Sequence, residues 1–196
     1  AGFVHATSDG IYGATGALKV YWGALLLLAI GSLFTVHLAR PLGRMRSPYK
    51  VADVQQVGDQ TWQVAIEPTS GDALDFEPGQ YAFLSLHHQP FMGSGHPFSF
   101  SSAPAMRPRI EFTIKENGDF TSTIGDLAPG TEVHLDGPYG YLSPARYHGP
   151  GVDHDGLVLI AGGVGIAPMM SILRQGAATG QTKPVLLLYA ASKVGD

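Results

Sequence analysis

Six short runs between Val51 and Pro138 alternate apolar with polar residues: "VADVQQV" (51–57), "WQVAIEP" (62–68), "YAFLSLH" (81–87), "HPFSFSS" (96–102), "RIEFTIK" (109–115) and "EVHLDGP" (132–138). A period of two marks a strand with one buried face. Turn punctuation separates the runs at Gly58-Asp59, Gly71-Asp72, Pro78-Gly79, Gly118-Asp119 and Pro129-Gly130, which points to a small antiparallel barrel or sandwich. Ala82, Leu84 and Leu86 alternate with Tyr81, Phe83 and Ser85, and Ile110, Phe112 and Ile114 alternate with Glu111, Thr113 and Lys115. The first member of each alternation is expected in the core; the second is free to serve a ligand.

Ahead of this region, Val20 to Ala39 reads "VYWGALLLLAIGSLFTVHLA" without an acid, lysine or arginine. About 20 such residues in a helix span the ~30 Å hydrocarbon core of a bilayer. Tyr21 and Trp22 stand at its start, and Arg40, Arg44, Arg46 and Lys50 follow its end, the flank expected on the cytoplasmic side. The expectation is one transmembrane helix in an inner or plasma membrane, with everything after Arg40 cytoplasmic. A signal peptide fits less well, because no basic region leads the apolar run and no small-x-small site follows it. A buried soluble helix is the other reading. His37 near the cytoplasmic end reads as a side chain snorkelling toward headgroups. His5, in "AGFVHATSDG", lies at what reads as the outer end of a preceding membrane helix, and is either functional or interfacial.

Composition narrows the partners. With 44% hydrophobic and 14% charged residues, 26 Gly and 14 Pro, the chain is expected to fold with many loops, and a net charge of −4 offers no basic field for nucleic acid. No cysteine is present, so the sequence holds neither disulfides nor Cys-ligated clusters. It begins with Ala and stops inside an unfinished unit, and it is read as a fragment.

Two further segments carry chemistry. In "GDFTSTIGDL" (118–127) the hydroxyls of Thr121, Ser122 and Thr123 precede a short helix-like turn, where they either cap the turn or bind phosphate, with Lys115 on the preceding strand adding a charge. In "LVLIAGGVGIAPMMSIL" (157–173) a continuous apolar run, expected to be a strand covered on both faces, leads into Gly162, Gly163, Val164 and Gly165 and then Pro168 in the first turn of a helix. The spacing from Gly163 to Pro168 is G-x-G-x-x-P, and "PVLLLYA" (184–190) supplies a second strand, so the unit is β-α-β as dinucleotide binding requires.

Taken in this order, the motifs resemble the membrane-bound branch of the ferredoxin–NADP reductase superfamily, the ferric reductases and NADPH oxidases. "HPFSFSSAP" is similar to that branch's flavin strand, which implies that His96, Pro97, Phe98 and Ser99 line FAD. "TIKENGDFTS" is similar to the flavin pyrophosphate segment, implying Thr113 and Lys115 on the strand and Phe120, Thr121 and Ser122 at the phosphate end. "DGPYG" (136–140) resembles the barrel-closing motif, and "AGGVGIAP" resembles the pyridine-nucleotide loop, assigning Gly162, Gly163, Val164, Gly165 and Pro168 to NAD(P)H. "FVHATSDGIYG" resembles the end of a haem-ligating helix, making His5 a ligand of haem b in the complete protein.

The fold so implied is the end of a membrane helix plus one N-terminal transmembrane helix (1–46), an antiparallel six-stranded FAD-binding β-barrel (47–150) and an incomplete α/β nucleotide-binding domain (151–196). The implied function is electron transfer from NAD(P)H through FAD to membrane haem and on to dioxygen or ferric iron, with no acid–base residue required. Two other readings stand beside it: a membrane-tethered flavin reductase with a non-haem acceptor, and a non-enzymatic β-barrel module on a membrane anchor.

The resemblance also places Ser192 and Lys193 at the nucleotide 2′-phosphate, favouring NADPH over NADH. In the full-length protein, Lys193→Ala is expected to lower the NADPH/NADH ratio of kcat/KM about tenfold or more, since a charge-assisted contact contributes roughly 1.5–3 kcal/mol. A change of about twofold or less would remove Lys193 as the discriminator.

Overall fold

The computed structural model describes residues 16–39, 48–86, 95–147 and 155–191, and the chain divides into two units, Ala1–Arg46 and Ser47–Asp196. In the first, helix α1 (Gly16–Phe34) continues into a π-helical turn at Thr35–Ala39, where the Thr35 hydroxyl donates to the Gly31 carbonyl at 2.7 Å. None of the α1 residues is buried against protein, and the apolar ones surround the helix instead of forming a stripe. Such a helix belongs in apolar surroundings. Gly16–Leu38 is long and apolar enough to cross a membrane.

The second unit opens with the expected six strands: β1 (Tyr49–Gly58), β2 (Thr61–Pro68), β3 (Tyr81–Leu86), β4 (His96–Ser99), β5 (Ile110–Lys115) and β6 (Glu132–Tyr139). They form one antiparallel sheet in the order β4-β3-β6-β1-β2-β5. Just beyond β4 the chain turns onto β5, with a bridge between Phe100 and Phe112 and a hydrogen bond from the Ser101 N–H to the Glu111 carbonyl at 2.8 Å. The two ends of the strand order therefore meet, and the sheet closes as a barrel.

The core follows the alternation read from the sequence. Ala82, Leu84, Ile110, Phe112 and Ile114 are buried, joined by Val51, Val64, Ile66, Phe100, Ile124 and Val133. Phe100 stacks on Phe76 at 4.1 Å and tilts against Phe112 at 5.3 Å, and each fully buried ring of this kind contributes about 1.5–3 kcal/mol. Tyr49 is buried among them, and its oxygen accepts the Leu74 N–H at 2.7 Å. Burial pushes its phenol pKa up, partly offset by that hydrogen bond.

The turn before β3 is a crossing point. Gly79 has φ of +92°, and a Cβ there would sit 1.7 Å from the Leu142 carbonyl oxygen, so the chain leaving β6 passes directly over a residue that must be glycine. A short helix α2 (Pro144–Tyr147) follows.

Next come β7 (Leu157–Gly162), a 3₁₀ turn at Gly163–Gly165, helix α3 (Ile166–Ala178) and β8 (Val185–Ala190). β7 and β8 pair in parallel, giving the expected β-α-β order. The expectation that β7 is covered on both faces is corrected. Leu159 and Ala161 are buried, whereas Val158 is 60% and Ile160 70% exposed, and β8 likewise exposes Leu186 and Leu188. α3 covers one face, and no described residue supplies a second layer; a run of apolar residues records affinity for cover without saying what provides it.

The Glu77 carboxylate, just before the Gly79 turn, receives Nε of Arg146 at 2.6 Å and Nη2 at 2.9 Å, tying α2 to that turn. The Arg146 hydrogen bonds hold the Glu77 pKa below the usual carboxylate range. A depressed folded-state pKa contributes stability above the unfolded carboxyl's pKa and loses it as pH falls through the folded value. Arg146→Met is therefore expected to lower stability slightly at neutral pH, the two exposed partners being screened by solvent. The difference from wild type should vanish at pH low enough to protonate Glu77 in both proteins, as read by urea unfolding across pH.

Candidate functional site

Pairing with β3 sorts the flavin-strand candidates onto two faces. Phe98 lies opposite Ala82 and His96 opposite Leu84, whereas Pro97 lies opposite Phe83 and Ser99 opposite Tyr81. Directly paired residues share a face. His96 and Phe98 therefore point one way, and Pro97 and Ser99 the other. On the first face, Phe120 joins them: its ring is 3.9 Å from that of His96 at an interplanar angle of 22°, and 6.0 Å from that of Phe98 at 20°. Three nearly parallel rings make a stacking platform, with Phe98 also resting on the barrel core. On the second face, Tyr81, Phe83 and Tyr139 form an aromatic group with centroids 5.7–5.9 Å apart.

Phe120 leads straight into the hydroxyl-bearing turn, a 3₁₀ helix at Thr121–Asp126. Each hydroxyl there is engaged with the local backbone. Thr121 Oγ1 accepts the Asn117 N–H at 2.7 Å and donates to the Gly118 carbonyl at 3.2 Å, while Ser122 Oγ donates to Asp119 and Thr123 Oγ1 to Phe120. These bonds run back to the preceding backbone, and no side chain caps the start of the turn. Two contacts hold the turn in place. Ile124 is buried in the core, and Gly125 lies against the Trp62 ring so closely that a Cβ would come within 2.5 Å of it. Trp62 is itself fixed by a 2.6 Å hydrogen bond from its indole N–H to Glu116.

Thr113 and Lys115 line a cavity of about 220 Å³ together with Val57, Gly58 and Thr61 of the barrel and Gly163, Val164, Ile166 and Tyr189 of the β-α-β unit. Of the residues that the resemblance groups at one pyrophosphate, Thr113 and Lys115 border this cavity, and Phe120 stacks with His96 just ahead of Thr121 and Ser122. Gly163 has φ of +49°, and nothing lies within 4 Å of where its Cβ or that of Gly165 would be, leaving backbone that a ligand can approach closely. Gly162 ends β7 opposite Ala190, and Pro168 is buried in the first turn of α3. His5 and Lys193 lie outside the described residues. No group of three potential metal ligands occurs among the described residues.

Both ligands fit what is present. The platform, continuous with a hydroxyl-bearing turn, suits a flat ring carrying a phosphate chain, and the glycine turn facing Lys115 suits a second dinucleotide. The sequence alternation left Glu111 on an available face, yet its side chain is 6% exposed and pairs with Arg174 of α3 at 2.9 Å. The sequence signal for that pair was an acid among apolar strand residues and an arginine one turn after Ser171 on a mostly apolar helix.

Residues 46–143, half of the chain, match the family model of an FAD-binding domain, and residues 159–196 match that of an oxidoreductase NAD-binding domain. The reductase component of propane 2-monooxygenase from Mycolicibacterium goodii is 34% identical over 134 residues, 67% of this chain and 36% of that protein. The sulfhydrogenase 2 subunit gamma from Pyrococcus furiosus is 31% identical over 122 residues, 62% of this chain and 39% of that protein. The chain thus spans well under half the length of these relatives. Among solved structures, phthalate dioxygenase reductase superposes with a TM-score of 0.63 at 20% identity, over 78% of this chain and 46% of that one. The FAD/NAD-binding domain of nitric oxide dioxygenase from Vibrio cholerae gives 0.64 at 23% identity, over 76% and 64%. These relatives share the superfamily expected from the sequence but are named as reductases, a sulfhydrogenase subunit and a nitric oxide dioxygenase domain, not as ferric reductases or NADPH oxidases. With its closed six-stranded barrel and the β-α-β unit behind it, the chain belongs to the FAD-binding domain family of oxidoreductases within the ferredoxin–NADP reductase superfamily, followed by an oxidoreductase NAD-binding domain.

Proposed function

We propose that this chain is the electron-entry part of an NAD(P)H-dependent flavoprotein reductase that hands electrons to a separate one-electron acceptor. The observation that carries the reading is the shared cavity, in which Thr113 and Lys115 of the barrel face Gly163 and Val164 of the dinucleotide turn. When bound, the nicotinamide supplies a hydride and the flavin takes up the electron pair and releases electrons singly. The protein's part is placement. His96, Phe98 and Phe120 offer ring faces to the flavin, a contact worth about 0.5–1.5 kcal/mol beyond area burial. Gly163 and Gly165 open the backbone to a pyrophosphate, and Lys115 brings a positive charge to it.

A second reading is favoured by one observation: the apolar residues of α1 surround the helix, and none of the α1 residues is buried. On this reading the helix anchors the reductase in a bilayer and the acceptor is membrane haem b, with His5 as a ligand and dioxygen or ferric iron as the final oxidant, as in ferric reductases and NADPH oxidases. An absorbance spectrum of the purified full-length protein separates the readings. Flavin bands with a sharp Soret band that His5→Ala weakens would support the haem route, and flavin bands alone would support a separate acceptor.

Lys115 tests the dinucleotide assignment. Lys115→Ala is expected to raise KM for the nicotinamide nucleotide about tenfold while leaving FAD per chain unchanged, since one charge-assisted contact contributes roughly 1.5–3 kcal/mol. Loss of FAD with unchanged KM would instead place Lys115 at the flavin pyrophosphate and count against the shared cavity as the nucleotide site.

A further inference from the structure

We infer that Arg174 and Ser171 of α3, with Glu111 and Ser102 of the barrel, form a latch that sets the nicotinamide against the flavin, making Arg174 and Ser171 positioning residues for electron transfer. The inference rests on the reductase reading above. Ser171 and Arg174 stand three residues apart, one turn of the same helix face. The Ser171 hydroxyl, fully buried, donates to the Ser102 carbonyl at 2.7 Å. Arg174 Nη1 donates both to the Ser101 carbonyl at 2.9 Å and to Glu111 Oε2 at 2.9 Å. The neighbouring Gln175 Oε1 accepts the Ala105 N–H at 3.0 Å.

Glu111 is the hub. Its Oε2 also accepts Gln63 Nε2 at 2.6 Å, its Oε1 accepts Arg109 Nε at 3.1 Å, and its backbone N–H donates to Ser102 Oγ at 2.9 Å. A buried carboxylate is costly unless surrounded by donors, and these donors arrive from β2, from the residue ahead of β5 and from α3. The contacts of Ser171 and Arg174 to the Ser102 and Ser101 carbonyls end within three residues of Ser99, the last residue of β4. The other end of α3 is the Gly163–Gly165 turn, so one rigid helix connects the latch to the dinucleotide turn. An apolar contact could join the two parts in several registers; directional hydrogen bonds admit few. A misplacement of about 1 Å between reacting groups can cost roughly a hundredfold in rate.

The test uses the full-length, FAD-loaded enzyme as wild type, Arg174→Met, Arg174→Lys and Ser171→Ala. Four quantities are read: FAD per chain, amide exchange of residues 100–102 and of α3, Kd for the oxidised nicotinamide nucleotide, and anaerobic flavin reduction with its long-wavelength nicotinamide–flavin absorbance. Arg174→Met is expected to keep its FAD and bind nucleotide within threefold, yet to reduce flavin at least tenfold more slowly, lose the long-wavelength absorbance and exchange faster at Ser101 and Ser102. Arg174→Lys keeps the charge but ends one bond short of Nη1, so it should recover part of the rate. Ser171→Ala should show the same pattern about threefold more mildly and keeps the test alive if Arg174→Met does not fold. An unchanged reduction rate in Arg174→Met or Ser171→Ala, or a rate loss that merely parallels loss of FAD, would overturn the latch. A wild type that holds no FAD, or is reduced by neither nucleotide, would overturn the reductase reading itself, while the exchange data would still report whether α3 protects Ser101 and Ser102.

Discussion

The hydrogen bonds joining Ser101 and Ser102 to Glu111 turn six strands into a closed barrel, and the site depends on that seam. β4 is only four residues long and pairs along one edge with β3. Left unclosed, its far side would be an open sheet edge. Closure carries the strand onto β5 and seats Phe100 between Phe76 and Phe112, so the flavin strand is anchored at its end by an aromatic ring in the core. His96 and Phe98 keep a constant aspect toward Phe120 because the strand bearing them is held at both sides.

β5 links the three working parts. Ile110, Phe112 and Ile114 build the core, and on the opposite face Glu111, Thr113 and Lys115 run from the latch to the cavity beside the glycine turn. Because alternate residues are about 7 Å apart along a strand, one short element measures out the distance between the seam and the dinucleotide cavity. Helix α3 runs between the same two places on the other side. Barrel and β-α-β unit are thus registered twice, once at Ser101–Ser102 and once at Lys115–Gly163.

Much of this was legible in the residues. The alternation of Ala82 with Phe83 and of Ile110 with Glu111 identified the barrel core, and the glycines ahead of Pro168 marked the turn between β7 and α3. The split of His96 and Phe98 from Pro97 and Ser99 was implicit in the period of two, which sends neighbours to opposite faces. Burial of Glu111 was not legible, because the cover comes from Arg174, 63 residues later, and alternation describes a strand without its tertiary neighbours. The same limit explains β7: five apolar residues in a row showed no face preference, and in the described structure only Leu159 and Ala161 are buried. The nearness of Lys115 to Gly163 was not legible either, because the two stand nearly fifty residues apart in the chain.

The Gly79 crossing bears on how the protein can be taken apart and rebuilt. Leu142 lies where any side chain at position 79 would go, so the two peptide segments must stack almost atom on atom. Ile172 of α3 lies against the same spot, its Cδ1 3.4 Å from where that Cβ would be. Lengthening the chain there would push out the exit from β6 and loosen the helix above it. The turn at Gly71, seven residues upstream of Pro78, has nothing within 4 Å of its Cβ position. That is the place to splice in a reporter, an affinity tag or new chain termini without disturbing how the barrel meets its nucleotide unit.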